Sequence, residues 1–156
     1  MEVNKQLREQ YLTMVEHRVQ HLPKLLDDKN IAKIALAMLY LGEGTKRSSG
    51  KITFGNSDAS IIKLFLKLLR RCYNIDEKKF RCTLQCRADQ EVPTLEDFWS
   101  ETTGIPRSQF YTAQIDPRTV NRPSKRVEYK GVCRIDYLSA DLFVEIMKLN
   151  EIIAGP

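Results

Sequence analysis

The spacing of apolar positions changes several times along the chain, and each change marks an element. Over residues 4–28 apolar residues recur at Leu7, Tyr11, Met14, Val15 and Val19, close to helical spacing. Pro23 ends or kinks the helix this predicts, and Asp27 or Asp28 can cap the next element. Residues 30–42, NIAKIALAMLYLG, form the most apolar run. Short and rich in Ala and Leu, the run reads as a buried helix, apolar around nearly its whole circumference with Lys33 its only charge. Such a helix packs on more than one side. One side faces the domain's own core; the other calls for a partner.

Beyond Gly44 the chain turns polar and basic (TKRSSGK). In KITFGN, Ile52 and Phe54 alternate with Lys51 and Thr53, which predicts a strand. Ser57 or Asp58 caps a helix running to about Tyr73, with Ile61, Leu64, Phe65, Leu68 and Cys72 as its core stripe. Residues 79–88 alternate most cleanly. Phe80, Cys82, Leu84 and Cys86 point one way; Arg81, Thr83, Gln85 and Arg87 point the other. A helix over 93–103 is anchored by Phe98 and Trp99 and ended by Gly104. FYTAQI is a candidate strand, and DPRTVNRPSK is a loop. Over 126–137, Val127, Tyr129, Cys133, Ile135 and Tyr137 face in; Arg126, Glu128, Lys130 and Arg134 face out, with Asp136 at the strand's end. Ser139 caps a last helix, striped by Leu142, Phe143, Ile146, Leu149 and Ile153.

This order predicts an α+β domain with helices on one face of a mostly antiparallel sheet. An N-terminal helical extension occupies 1–29 and the domain proper 30–156. The opposite sheet face carries Lys51, Thr53, Arg81, Thr83, Gln85, Arg87, Arg126, Lys130 and Arg134. A solvated face normally mixes charge signs; this one is strongly basic. Outward side chains on a strand repeat every ~6.6 Å. Arg and Gln suit guanine and adenine edges in the major groove, and lysines suit phosphates. The face therefore has the chemistry of a DNA reader.

Composition adds limits. The 156 residues are 42% hydrophobic and 29% charged, ordinary for a globular domain, and the formal charge of +5 fits either an anionic partner or a soluble protein with surplus lysines. No apolar run reaches the ~18 residues of a membrane helix, and MEVNKQLREQ is not a signal peptide. A cytoplasmic location is expected, with no membrane partner and no small-molecule substrate. Cys72, Cys82, Cys86 and Cys133 form no CxxC pair and read as reduced core residues. His17 and His21 lie a helical turn apart without a second ligand pair, so a solvated face is the better reading than zinc.

The stretch Leu36-Ala37-Met38-Leu39-Tyr40-Leu41-Gly42-Glu43-Gly44 resembles the LAGLIDADG signature, with Leu36, Ala37, Leu39 and Gly44 identical to it. Glu43 stands where that family carries its catalytic acid. GEGTK, FGNSD, IIKLFLKLLRR, WSETTGIPRSQF and YKGVCRIDY are similar to the bacterial branch, so the resemblance spans about residues 30–150. Met38 and Leu41 depart from it, replacing the family's first glycine and first aspartate.

The resemblance implies a homing endonuclease that cleaves both strands of a long pseudo-palindromic duplex site, encoded in an intron or intein. One motif per chain implies a homodimer on paired motif helices, with Ala35, Leu36, Met38, Leu39 and Gly42 at the interface. Glu43 and Gly42 would hold Mg²⁺, with Mn²⁺ a substitute. A carboxylate at a helix C-terminus is disfavoured by a few tenths to ~1 kcal/mol; a bound cation reverses that sign. Lys46, Lys130 and Arg134 are candidates to assist catalysis, and Lys46 and Arg47 join the DNA-contacting set. The competing reading is a catalytically inactive relative, a DNA-binding regulator or an intron RNA maturase.

Overall fold

The computed structural model describes residues 2–47, 50–124, 126 and 128–155. Helix α1 (Glu2–Val19) leads through a 3₁₀ segment (Leu22–Asp27) into α2 (Lys29–Glu43). Strand β1 (Ile52–Asn56), helix α3 (Ala59–Cys72), strand β2 (Phe80–Arg87) and helix α4 (Val92–Thr103) come next. Strands β3 (Gln114–Asp116) and β4 (Val132–Tyr137) and helix α5 (Ala140–Ala154) complete the chain. The domain is α+β, with a four-stranded sheet in the order β1-β4-β2-β3. β4 is antiparallel to β1 and β2, but β3 runs parallel to β2, so the sheet is mixed.

Period-two alternation sorts the sheet's faces. Ile52, Phe54, Phe80, Cys82, Leu84, Cys86, Cys133 and Ile135 are buried beneath the helices. The Phe54 and Phe65 rings stack at 4.2 Å and fasten α3 to β1. Asp58 caps α3 by accepting from the Ser60 N–H, and the αL residue Gly104 ends α4. All four cysteines are buried and free, and His17 and His21 are exposed. No helix among the described residues is long and apolar enough to cross a membrane.

Several expectations shift. The first helix stops at Val19 because the Pro23 ring, continued helically, would strike the Val19 carbonyl. Its apolar residues Leu7, Tyr11 and Met14 stay more than half exposed. The α3 stripe is rotated: Ile62, Leu66 and Leu69 are buried with Phe65, Leu68 and Cys72, while Leu64 is exposed. FYTAQI forms a strand only from Gln114, with Phe110 bridging Cys82 alone. In α5 the buried residues are Ile146 and Asn150, and Ile153 is exposed.

The last strand begins at Val132 rather than 126. Gly131 has φ +73°, and a Cβ there would approach the Gln85 carbonyl oxygen to 2.7 Å. Ahead of it, the Trp99 indole donates to the Lys130 carbonyl at 2.8 Å and Gln90 to the Tyr129 carbonyl at 2.6 Å. These bonds commit the backbone of 129–130 to a loop. Val127 lies outside the described residues.

Candidate acidic site and nucleic-acid interface

Asp28 starts α2 by accepting from the Asn30 and Ile31 N–H groups. The helix then buries Ala32, Leu36, Ala37 and Tyr40 against its own domain. The opposite side exposes Ile31, Ile34, Met38 and Gly42 at spacings of three and four, a charge-free stripe. Of the residues expected at a dimer interface, Met38 and Gly42 lie on this stripe, and Ala35 and Leu39 are half-buried. Leu36 does not: it is 1% exposed and belongs to the chain's own core. An all-round apolar helix has no polar face to set its phase, and Ile31 and Ile34 take the place assigned to Leu36.

Gly44 ends the helix, its N–H donating to the Tyr40 carbonyl at 2.8 Å. A Cβ at Gly44 would fall 2.4 Å from the Tyr40 ring, so only glycine fits. Burial raises the Tyr40 phenol above its ordinary pKa, and the neutral hydroxyl donates to the Thr45 carbonyl at 2.7 Å. The Thr45 N–H donates to the Thr53 carbonyl at 2.9 Å, tying the helix exit to the edge of β1.

Glu43 projects from this exit and is exposed. Asn56, at the end of β1, donates its Nδ2 to Glu43 Oε2 at 3.3 Å while its Oδ1 accepts from the Asp58 N–H at 2.8 Å. Asn56 thus orients the acid from the start of α3, a role not anticipated from the FGNSD segment. Lys46 and Arg47 lie just beyond it in an exposed loop. The terminal carbonyls of α2, Gly42 among them, lack helical donors. They and the Glu43 carboxylate are hard oxygen ligands of the type Mg²⁺ takes. Among the described residues no three His, Cys, Asp or Glu side chains gather as a metal cluster.

On the sheet face away from the helices, cross-strand register sets the rows. Thr53, Asp136 and Arg81 form one, Gly55, Arg134 and Thr83 the next, and Val132, Gln85 and Gln114 a third. Gln85 reaches Gln114 at 3.5 Å. The face is less basic than expected. Asp136 is 1% exposed and accepts from Thr53 Oγ1 at 2.6 Å and Lys51 Nζ at 2.8 Å. Arg134 Nη2 lies 3.5 Å from the same carboxylate and donates to Thr83 Oγ1 at 3.3 Å. Arg81 folds back on the Lys78 and Phe80 carbonyls, and Arg87 pairs with Asp89 and donates to the Arg122 carbonyl.

Arg126 and Lys130 are not on the sheet, because β4 starts after them. They instead line an open hollow of about 540 Å³ with Asp58, Phe98, Glu128 and Tyr129. Lys130 Nζ stands 5.8 Å from the Phe98 ring centroid. Comparison with models of protein families, with curated proteins and with solved structures finds no match to the chain.

Proposed function

We propose that the chain is a homodimeric, metal-dependent endonuclease of the LAGLIDADG homing type, cleaving both strands of a duplex DNA site. One observation carries the reading: Glu43 is exposed where a charge-free, uncovered helix face meets the exit loop bearing Lys46 and Arg47. A carboxylate at the negative end of a helix dipole is poorly placed for stability. A cation there makes the placement favourable. Pairing of two α2 stripes about a twofold axis would bury Ile31, Ile34 and Met38 and bring two Glu43 side chains toward one another.

Glu43 and the Gly42 carbonyl from each protomer would hold Mg²⁺, which supplies Lewis-acid polarisation and a more acidic water. Asn56 orients the Glu43 carboxylate. Lys46 and Arg47 contribute positive charge beside the phosphates, and Lys51, Thr53, Gln85 and Arg134 meet the duplex from the sheet; Thr83, expected among them, is 3% exposed and instead accepts from Arg134 beneath that face. Arg81 and Arg87 first have to release their backbone carbonyls, so they support binding less directly.

Cleavage of a randomised duplex library with and without magnesium, by wild type and Glu43→Gln, tests the reading. Wild type is expected to cut only with the metal. Glu43→Gln is expected to bind the same DNA and to cut about a hundredfold more slowly or not at all. Binding by both proteins with cutting by neither favours the DNA-binding regulator or RNA maturase. A wild-type monomer on DNA removes the paired-helix arrangement.

A further inference from the structure

Asp136 contradicts the chemistry of the face it sits on. It is a carboxylate, 1% exposed, in the row where a DNA-reading sheet would carry donors or cations. Burying a carboxylate is costly unless it is paired and hydrogen-bonded. Here it is both. Thr53 Oγ1 donates to Oδ1 at 2.6 Å, Lys51 Nζ to Oδ2 at 2.8 Å, and Arg134 Nη2 lies 3.5 Å from that same Oδ2. Two cations, one just ahead of β1 and one on β4, therefore converge on one oxygen atom. Without the carboxylate they would repel, and two long side chains would disperse into solvent.

We infer that Asp136 is a positioning residue that fixes Lys51 and Arg134 as a preformed two-cation cradle for one DNA backbone phosphate. The inference rests on the proposed duplex-binding function. The Lys51 and Arg134 side chains are each about one-third exposed, which leaves both open to an anion while anchored from below. Among the described residues the salt bridges set two cations against this one carboxylate. Arg134 is anchored chiefly through Nη2, which contacts Asp136 and Thr83, while its Nε is buried without a hydrogen-bond partner. Asp136, rather than saturation of the guanidinium's own donors, sets its place. A preformed cradle spends less side-chain entropy on binding. It also fixes the register of the sheet on the duplex, so that neighbouring rows can read bases.

The position makes an unusual prediction about charge. Removing a negative charge from a DNA-binding face ordinarily strengthens binding to every sequence. If Asp136 positions the cations, Asp136→Asn instead separates general from site-specific affinity. The experiment selects a preferred duplex from a randomised pool with wild type. It then measures Kd for that duplex and for a scrambled one, over a salt series, for wild type, Asp136→Asn and Thr53→Val. Thermal unfolding of each protein is recorded in parallel. Asp136→Asn is expected to hold scrambled DNA as tightly as wild type or tighter. Its preference for the selected duplex should fall at least about tenfold, the scale of one lost specific contact. Thr53→Val keeps the charge and loses the hydroxyl to Oδ1, and should reduce the preference in the same direction by less. A preference within twofold of wild type, with any loss confined to Tm, overturns the inference and makes Asp136 a structural ion-pair partner. If Asp136→Asn does not fold, an unchanged preference in Thr53→Val overturns it. If wild type binds no duplex, the proposed function falls and this inference with it.

Discussion

The two sides of α2 have nearly the same composition and opposite fates. Ala32, Leu36, Ala37 and Tyr40 are all but fully buried in the chain's own core, whereas Ile31, Ile34 and Met38 are 40–49% exposed. Both sides are apolar, so hydrophobicity alone does not say which one faces inward. Their phase relative to β1 and α3 does, with Ala32, Leu36 and Tyr40 in the same core as Phe54 and Phe65. The buried side is accounted for by folding. Folding leaves the other side only about half covered, and under the proposed function the rest of its burial is gained on association.

The largest expected effect lies on the buried side. Leu36→Ala removes most of a fully buried side chain and should destabilise the fold by about 2–5 kcal/mol, read by chemical denaturation. Its folded fraction should associate as wild type does. Should Leu36→Ala leave stability within about 0.5 kcal/mol, the assignment of the two sides would be wrong. The reciprocal change, Met38→Glu, should spare the monomer, since exposed substitutions usually cost within ~0.5 kcal/mol. It places two like charges across a twofold contact, at a cost of several kcal/mol. Sedimentation should then show association weakened by about a hundredfold or more. Equal oligomeric states for Met38→Glu and wild type would break the comparison.

These contrasts show which parts of the molecule were legible in the sequence. Strand β2 was, because Phe80, Cys82, Leu84 and Cys86 obey a period that no helix shares. The start of β4 was not. Arg126, Glu128 and Lys130 alternate as a strand does, but Trp99 and Gln90 capture the Lys130 and Tyr129 carbonyls and Gly131 turns the chain. Those partners lie some thirty residues or more away, beyond any local pattern. The exposure of Glu43 was legible from its place at a helix end. The hold of Asn56 on it, and the burial of Asp136 under Lys51, depend on cross-strand register and on a partner 85 positions distant in the chain. The phase of α2 was illegible for a simpler reason: with Lys33 its only interior charge, it carried no polar face to read.

A smaller effect is expected where α2 ends. Gly44→Ala places a methyl 2.4 Å from the ring of Tyr40, which is fully buried and held through its hydroxyl by Thr45 and Thr53. The ring cannot swing aside, so overpacking should cost about 1–3 kcal/mol in denaturant unfolding. Because the same turn sets the direction of Glu43, the proposed function predicts that cleavage falls further than stability does. A Gly44→Ala protein with wild-type stability would mean that Tyr40 yields, and that the helix exit is softer than its hydrogen bonds imply.

The smallest effect lies at the boundary between the two sides, where Lys33 reaches α5. Its Nζ pairs with Glu145 Oε1 at 2.5 Å, and the Tyr73 hydroxyl donates to the same oxygen at 3.1 Å. The Lys33 hydrogen bond, chiefly, holds the Glu145 carboxyl below its usual range, and the bond from Tyr73 adds to it. An acid whose folded pKa is depressed stabilises the fold above its unfolded value, about pH 4.3. That stabilisation disappears as pH falls through the lower folded value. Both partners are close to one-third or more exposed, which limits the contribution to about 1 kcal/mol or less. Unfolding of wild type and Lys33→Met should therefore differ slightly at pH 7 and converge as pH falls below the depressed Glu145 value. A gap that persists in acid would assign the Lys33 effect to its ammonium over the Tyr73 ring, 4.9 Å from the centroid, rather than to the ion pair with Glu145.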